Sequence, residues 1–172
     1  IRSRCQTVRF GSLSAVDTED ILMAGDDFSP YEASEYARLS QGSVEEALLL
    51  KDGGYREVVQ EALFLTGLAR EKSPVEWPKV PTSRDELLLL VDALIRIHRD
   101  VLILAAAGPA GQSRLFFSEK LDDLAALAGA LGADRAATIL ESLVQARERL
   151  MSYVNPRLIS AQLLLDLGLK LV

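Results

Sequence analysis

Three arginines surround a single cysteine near the start of the chain. Arg2, Arg4 and Arg9 flank Cys5 within the first ten residues. An arginine guanidinium is planar and permanently charged, and it can stabilise charge that develops during phosphoryl transfer. A solvated arginine is indistinguishable from a catalytic one by residue type, which leaves both interpretations open at this point. No histidine or lysine stands beside Cys5 to activate its thiol, which favours a packing role for this cysteine.

The other residues capable of chemistry favour structural roles. His98 falls in the middle of a predicted helix, and Asp100, two residues later, lies on a different face of it, which disfavours a catalytic pair. The pairs Asp26-Asp27 and Asp122-Asp123 stand at a helix end and a helix start, where acidic pairs are usually solvated. One cysteine and one histidine cannot supply the ligands of a zinc site. We therefore predict neither a metal site nor a cofactor bound by this chain itself.

Composition and charge restrict the class of protein. The chain has 172 residues, is 49% hydrophobic and carries a formal net charge of −6 at pH 7. Such a chain can bury one medium-sized core or two small ones, and because neither half of it is basic it is poorly suited to bind nucleic acid directly. The longest apolar stretch, residues 87–107, is interrupted by five titratable side chains, which disfavours a membrane span. No signal peptide is visible, and we expect a cytoplasmic protein.

Cap residues mark helices along almost the whole chain. The stretches SPYE (29–32), SVEE (43–46) and SRDE (83–86) combine an N-cap serine with a glutamate at the third helical position, and Asn155-Pro156 is a further start signal. Glycines follow the apolar runs, as they do at helix ends. The sequence predicts an all-α protein with helices at about 14–24, 30–41, 44–52, 55–70, 84–107, 119–131, 134–153 and 156–170.

Prolines divide the chain into two helical bundles. Residues 72–83 hold three of the six prolines and are predicted to form a semi-rigid linker. Trp77 lies inside it, and we expect its side chain to pack the linker onto a neighbouring bundle rather than to stack on a ligand. The predicted last helix is apolar on nearly every side, from Leu158 to Leu171. A helix of this kind must be buried on most faces, and in so small a bundle a partner protein can cover one of them.

The order of these segments is similar to that of the bacterial DNA polymerase III clamp-loader family. Ser3-Arg4-Cys5 matches the Ser-Arg-Cys motif of the family, and it is followed by YARLSQGSVEEALLL (36–50), a proline-bearing linker and NPRLISAQLLLDL (155–167). Within the family the chain resembles the delta-prime subunits. These are AAA+ proteins, and the resemblance implies that residues 1–12 end a nucleotide-binding domain, 13–71 form a helical lid, 72–83 the linker and 84–172 a helical collar that binds other subunits.

The resemblance assigns a role to Arg4. In the family the arginine of the Ser-Arg-Cys motif enters the ATP site of the adjacent subunit and acts as an arginine finger. The resemblance therefore implies that Arg4 acts in trans on ATP held by a neighbour, and that this chain by itself has no enzymatic activity. The implied partners are the ATPase subunits and delta, through the collar. The sliding clamp and primed DNA are partners only of the whole complex.

One position separates subunits within the family. Members that hydrolyse ATP carry an arginine in the lid helix that follows a Gly-Ser pair, where it contacts the phosphates. Here Gly42-Ser43 is followed by Val44 and Glu45, so the position is occupied by Glu45. A carboxylate would repel a triphosphate, which favours a non-hydrolysing subunit. Two alternatives stay open: an ATPase subunit of the gamma/tau type from the same loader, and a helical adaptor unrelated to AAA+ proteins.

Overall fold

The computed structural model describes residues 11–25, 27–71 and 80–168, and this part of the chain is all-helical, as the sequence predicts. It contains no β-strand within those ranges. Two short 3-10 helices, Gly108–Arg114 and Ser118–Lys120, connect the fifth and sixth α-helices. The α-helices are α1 (Ala15–Ala24), α2 (Pro30–Leu39), α3 (Val44–Asp52), α4 (Tyr55–Glu71), α5 (Arg84–Ala107), α6 (Leu121–Met151) and α7 (Pro156–Leu167).

The helices begin where the cap residues predict. The Ser29 hydroxyl accepts the Glu32 amide while the Glu32 carboxylate accepts the Ser29 amide, which is a complete capping box at the start of α2. Ser43, Ser83 and Asn155 cap α3, α5 and α7 through their side-chain oxygens. Each oxygen accepts an amide that has no partner within the helix, and such a cap is worth about 1 kcal/mol.

Glycine conformation sets the break in the longest helix. The sequence predicts separate helices at 119–131 and 134–153, and α6 spans both with Gly132 at φ 71° and ψ 169° between them. That backbone conformation is open almost only to glycine, which explains why the interruption falls at this residue. Helix α7 ends at Leu167, before the predicted end at 170, because Gly168 adopts a left-handed conformation with φ 91°.

The chain divides into two compact units at Gly54 and Tyr55. In the first unit α2 packs against α1 and α3. Phe28 and Tyr36 meet edge to face with centroids 5.8 Å apart, and the Lys51 ammonium lies 4.2 Å from the Phe28 ring centroid. The side chains buried in this unit include Leu22, Phe28, Tyr36, Leu39 and Leu50.

The second unit is built around α5, which packs against α4, α6 and α7. Its apolar side chains recur at helical spacing and are completely buried, among them Leu87, Leu90, Val91, Leu94, Ile97 and Val101. Helix α4 belongs to this unit because it packs on α5, although the sequence groups it with residues 13–71. None of the helices in the described ranges has the length and apolarity needed to cross a membrane.

The Arg84 side chain links the start of α5 to the end of α6 through hydrogen bonds. Its guanidinium donates to the carbonyl oxygens of Leu150 and Val154, the latter at 3.2 Å, and lies 4.7 Å from the Tyr153 ring centroid. The last carbonyls of a helix have no partner within the helix, and a cation is favourable beside them. The Arg84 side chain therefore adds to the backbone hydrogen bonds of the turn that leads from α6 into α7.

We expect Arg84→Ala to lower the free energy of unfolding of the second unit by about 1–2 kcal/mol, because charge-assisted hydrogen bonds to the α6 terminus are lost. Arg84→Lys should recover only part of this loss, since an ammonium does not reproduce the fork of the guanidinium. Urea unfolding followed by circular dichroism measures both variants. A loss below about 0.3 kcal/mol for alanine would show that these contacts add nothing to stability.

Candidate functional site

Several residues singled out from the sequence lie outside the described ranges. They include Arg4, which carries the predicted arginine finger, and its neighbours Arg2, Cys5 and Arg9. Trp77, most of the predicted linker and Asp26 lie outside them as well. The role of Arg4 therefore stays a prediction. The contacts that follow belong to residues later in the chain.

A close backbone contact joins the segment after Arg4 to the start of α3. The Leu13 amide donates to the Gly42 carbonyl at 3.3 Å, and Gly42 has φ 91°. A β-carbon at position 42 would overlap the Leu13 carbonyl oxygen and lie 2.8 Å from the Leu13 nitrogen. We call this contact, with Ser43 beside it, the Leu13–Gly42 junction. Only glycine allows the two backbones to come this close, and the junction fixes where α3 begins relative to residues 11–14.

The first turn of α3 is acidic and already capped. The Ser43 hydroxyl accepts the Glu46 amide at 3.2 Å, which uses one of the free amides that an anion would need. Glu45 is exposed, and Glu46 follows it in the same turn. Two carboxylates at a helix N-terminus are stabilised by the helix dipole, and they repel a phosphate approaching the same place. This helix start is therefore unsuited to bind a triphosphate.

Asp100 is a buried charged residue of the second unit whose role is not evident from the sequence. Its side chain is completely buried. One carboxylate oxygen accepts the backbone amides of Phe116 and Phe117 at 2.8 and 3.0 Å, and the other accepts from Arg99 Nη1 at 3.0 Å. The carboxylate thus holds the turn between the two 3-10 helices against α5. The one signal visible in the sequence is an aspartate inside an otherwise apolar helical face, and its partners lie 16 and 17 residues further along the chain.

Burial changes the pKa of Asp100. Desolvation raises the pKa of this carboxyl to about 6, against the opposing effect of the Phe117 amide, Arg99 and the Phe116 amide. Removal of a carboxylate from water penalises its ionised form, and the hydrogen bonds only partly compensate. We treat Asp100 as a structural anchor, since its described hydrogen bonds go to the backbone amides of Phe116 and Phe117 and to the neighbouring Arg99.

His98 is a buried structural histidine, as its position in the predicted helix favours. It is 2% exposed, and its Nδ1 lies 3.0 Å from the Leu94 carbonyl oxygen. Burial lowers the pKa of His98 to about 4, with the Leu94 contact acting in the opposite direction. The ring is therefore neutral near pH 7 and donates to the helix backbone. Neither His98 nor Asp100 bonds to the other, which agrees with their different faces on α5.

A groove of about 510 Å³ runs between α6 and α7. Its apolar lining comes from Ala146, Val154, Leu158 and Ile159. Charged groups flank it: Arg149 near Val154, and Asp166 at the far end of α7, where the carboxylate accepts from the Ser142 hydroxyl and from Gln162 Nε2. This mixture of apolar centre and charged ends suits a polypeptide surface better than a small apolar ligand.

A second cavity, of about 460 Å³, lies where α5 ends and α6 begins. Small and apolar residues form most of its wall, including Leu104, Ala105, Gly108, Ala125 and Ala128. No group of three or more histidine, cysteine, aspartate or glutamate side chains suited to a metal ion occurs in the described part of the chain.

Comparison with models of known protein families, with curated proteins and with solved structures gave no match.

Proposed function

We propose that this chain is the lid and collar part of a delta-prime-type subunit of the bacterial replicative clamp loader, a cytoplasmic AAA+ assembly. In this proposal it does not hydrolyse ATP. It binds the ATPase subunits and delta through residues 84–172, and Arg4 completes the ATP site of a neighbouring subunit. Hydrolysis there is coupled to placing the sliding clamp on primed DNA.

The observation that carries the proposal is the exposed Glu45 in the first turn of α3. In the ATP-hydrolysing members that the chain resembles, an arginine at this place holds the nucleotide phosphates. A carboxylate there opposes phosphate binding, and the Ser43 cap occupies an amide that could otherwise face an anion. A subunit built in this way can use the nucleotide of a neighbour but is poorly equipped to hold its own.

The Leu13–Gly42 junction is a contact through which the lid can be held in a fixed relation to the segment that carries Arg4. Arg4 precedes the junction by nine residues, and the Leu13 amide is bonded to the Gly42 carbonyl at the start of the helix that carries Glu45. A guanidinium placed by the preceding domain needs a fixed relation to the lid if it is to stabilise charge on a departing γ-phosphate. The proposal therefore assigns Arg4 the chemical role and the junction a positioning role.

The test is Arg4→Ala in the full-length protein, reconstituted with the other loader subunits. We expect the complex to assemble normally and to lose the share of ATP turnover that the site beside Arg4 contributes. A finger is worth about 10³ to 10⁵ at its own site, while the other sites keep their own fingers. Arg9→Ala is the matched control and should leave turnover unchanged. Turnover equal to wild type in the Arg4 variant would remove the finger role.

Nucleotide binding separates the proposed subunit from an ATPase subunit of the same loader. We expect the full-length protein alone to show no saturable binding of labelled ATP in the micromolar range. Saturable micromolar binding would contradict the non-hydrolysing assignment. Failure to form any complex with the loader subunits would favour a helical adaptor of another assembly.

A further inference from the structure

Two glycines form the whole covalent connection between the two compact units. Helix α3 ends at Asp52 and α4 begins at Tyr55, and the units divide after Gly54. The predicted linker, residues 72–83, joins α4 to α5, and these two helices pack against each other within the second unit. The chain therefore passes from one unit to the other through Gly53 and Gly54.

Backbone conformation requires glycine at only one of these two positions. Gly54 has φ 64°, a left-handed conformation that glycine adopts at low cost and that commonly ends a helix. Gly53 has φ −78° and ψ 3°, which residues with a β-carbon also adopt, and it is exposed. The helix end therefore explains the glycine at position 54 but not the one at position 53. What a second glycine adds is conformational freedom of the backbone.

Helix α4 is fixed within the second unit from its first residue. Arg96 Nη1 of α5 donates to the Tyr55 hydroxyl at 2.7 Å, and the guanidinium lies 5.2 Å from the centroid of the tyrosine ring. Tyr55 is 1% exposed, and Ala62 and Leu65 are buried further along the helix. Turning α4 relative to α5 would break these contacts, so α4 moves with the second unit.

Helix α3 is fixed within the first unit up to its last turn. Leu50 is buried, the Gly53 amide donates to the Leu49 carbonyl at 3.0 Å, and the Gly54 amide donates to the Lys51 carbonyl at 3.2 Å. Rotation about the φ and ψ bonds of Gly54 redirects the chain that follows without breaking either hydrogen bond. Rotation at Gly53 breaks only the second bond. Large changes of direction at this point therefore leave both helices intact.

We infer that Gly53-Gly54 is a hinge on which the first unit turns as a rigid body relative to the second. Hinges are a few residues between packed elements that absorb the change in φ and ψ, and the two glycines are placed in this way. The inference concerns the chain alone and does not depend on the proposed function. Within that function, the hinge lets the first unit and the segment that carries Arg4 change direction while residues 84–172 stay bound to other subunits.

Distances between pairs of nitroxide labels on the whole chain test the hinge, measured by double electron–electron resonance in a Cys5→Ser background. Leu49→Cys with Glu141→Cys places one label on each unit, at a 64% exposed leucine and an exposed glutamate. Glu57→Cys with Glu141→Cys is the matched pair within the second unit. We expect the distance distribution between the units to be at least about two-fold wider than the one within the second unit. Equal widths would overturn the hinge.

Substitution of the two glycines tests whether the freedom resides in them. Gly53→Ala with Gly54→Asn keeps the conformation of the turn, because asparagine tolerates a left-handed φ, and it adds two β-carbons that restrict the backbone. We expect the distribution between the units to narrow towards the width found within the second unit. Gly53→Ala alone should narrow it less, and one extra glycine inserted after Gly54 should broaden it.

A glycine elsewhere in the chain provides the control. Gly67 lies inside α4, where a β-carbon would have no neighbour within 4 Å, so Gly67→Ala should leave both distributions unchanged. Circular dichroism checks that each variant keeps its helices. An unchanged width in a folded Gly53→Ala, Gly54→Asn variant would overturn the assignment of the hinge to these residues. Equal narrowing by Gly67→Ala would also overturn it.

Discussion

Replacing Gly42 by alanine is expected to destabilise the first unit by about 3–5 kcal/mol. Two costs add at this position. The φ of 91° is unfavourable for any residue with a β-carbon, at about 1–2 kcal/mol, and the new methyl group would overlap the backbone of Leu13. A backbone carbonyl cannot rotate away as a flexible side chain can, so either the junction opens or α3 shifts. The loss is a large fraction of the stability of so small a unit.

Hydrogen exchange is the measurement suited to this variant, because it reports each unit by itself. We expect the amides of α2 and α3 to lose protection in the Gly42 variant, while those of α5 keep theirs. Gly25→Ala is the matched control in the same unit. Gly25 has φ −91°, and a β-carbon there would be 3.6 Å from the Leu22 carbonyl oxygen, an ordinary contact. Unchanged protection in the Gly42 variant would contradict the close packing at the junction.

Asp100→Ala is expected to destabilise the second unit by about 3–5 kcal/mol. The substitution leaves the amides of Phe116 and Phe117 without an acceptor inside the protein, and each unsatisfied buried amide costs about 1–3 kcal/mol. It also creates a small cavity beside a completely buried position. Asp100→Asn is the matched control, because its carbonyl oxygen can accept both amides. Urea unfolding should rank wild type and asparagine well above alanine, and equal values for the two variants would contradict the anchoring role.

The pH dependence of stability follows from the two shifted groups on α5. The pKa of Asp100 is raised to about 6, so its contribution to stability is complete below about pH 4 and is lost as the pH rises through 6. The pKa of His98 is lowered to about 4, so its contribution is complete above about pH 6.5 and is lost as the pH falls towards 4. The two trends oppose each other between pH 4 and 6.5, and in the wild type they partly cancel.

Asp100→Asn removes one of these opposing trends. We expect the asparagine variant to lose stability on acidification from pH 6.5 to pH 4 by about 3 kcal/mol more than the wild type does, because two pKa units correspond to about 3 kcal/mol. Urea midpoints measured across this range for both proteins provide the comparison. Parallel pH profiles would show that Asp100 does not titrate in this interval.

Local signals in the sequence determined where most helices begin and end. A cap is a contact within four residues, so Ser29 with Glu32 or Asn155 with Pro156 is visible without any knowledge of the fold. The break at Gly132 was predictable for the same reason, since glycine is the residue that adopts its φ at low cost. The buried face of α5 follows from the spacing of its leucines. The all-helical class was therefore accessible from the chain itself.

Contacts between distant segments were decided only by the tertiary structure. In the sequence, Asp100 is only a polar residue in an apolar helix. Its role becomes evident from the structure, in which its carboxylate accepts the amides of Phe116 and Phe117. Glycine is needed at position 42 because the Leu13 backbone lies against it, and the residues around Gly42 in the sequence do not indicate this contact. The exposed leucines of α7 were hidden because that helix is apolar nearly all round, and packing against α5 and α6 selects which leucines remain outside. The spacing of apolar residues shows which face of a helix can be buried. Which neighbouring helices bury that face depends on how the whole chain folds.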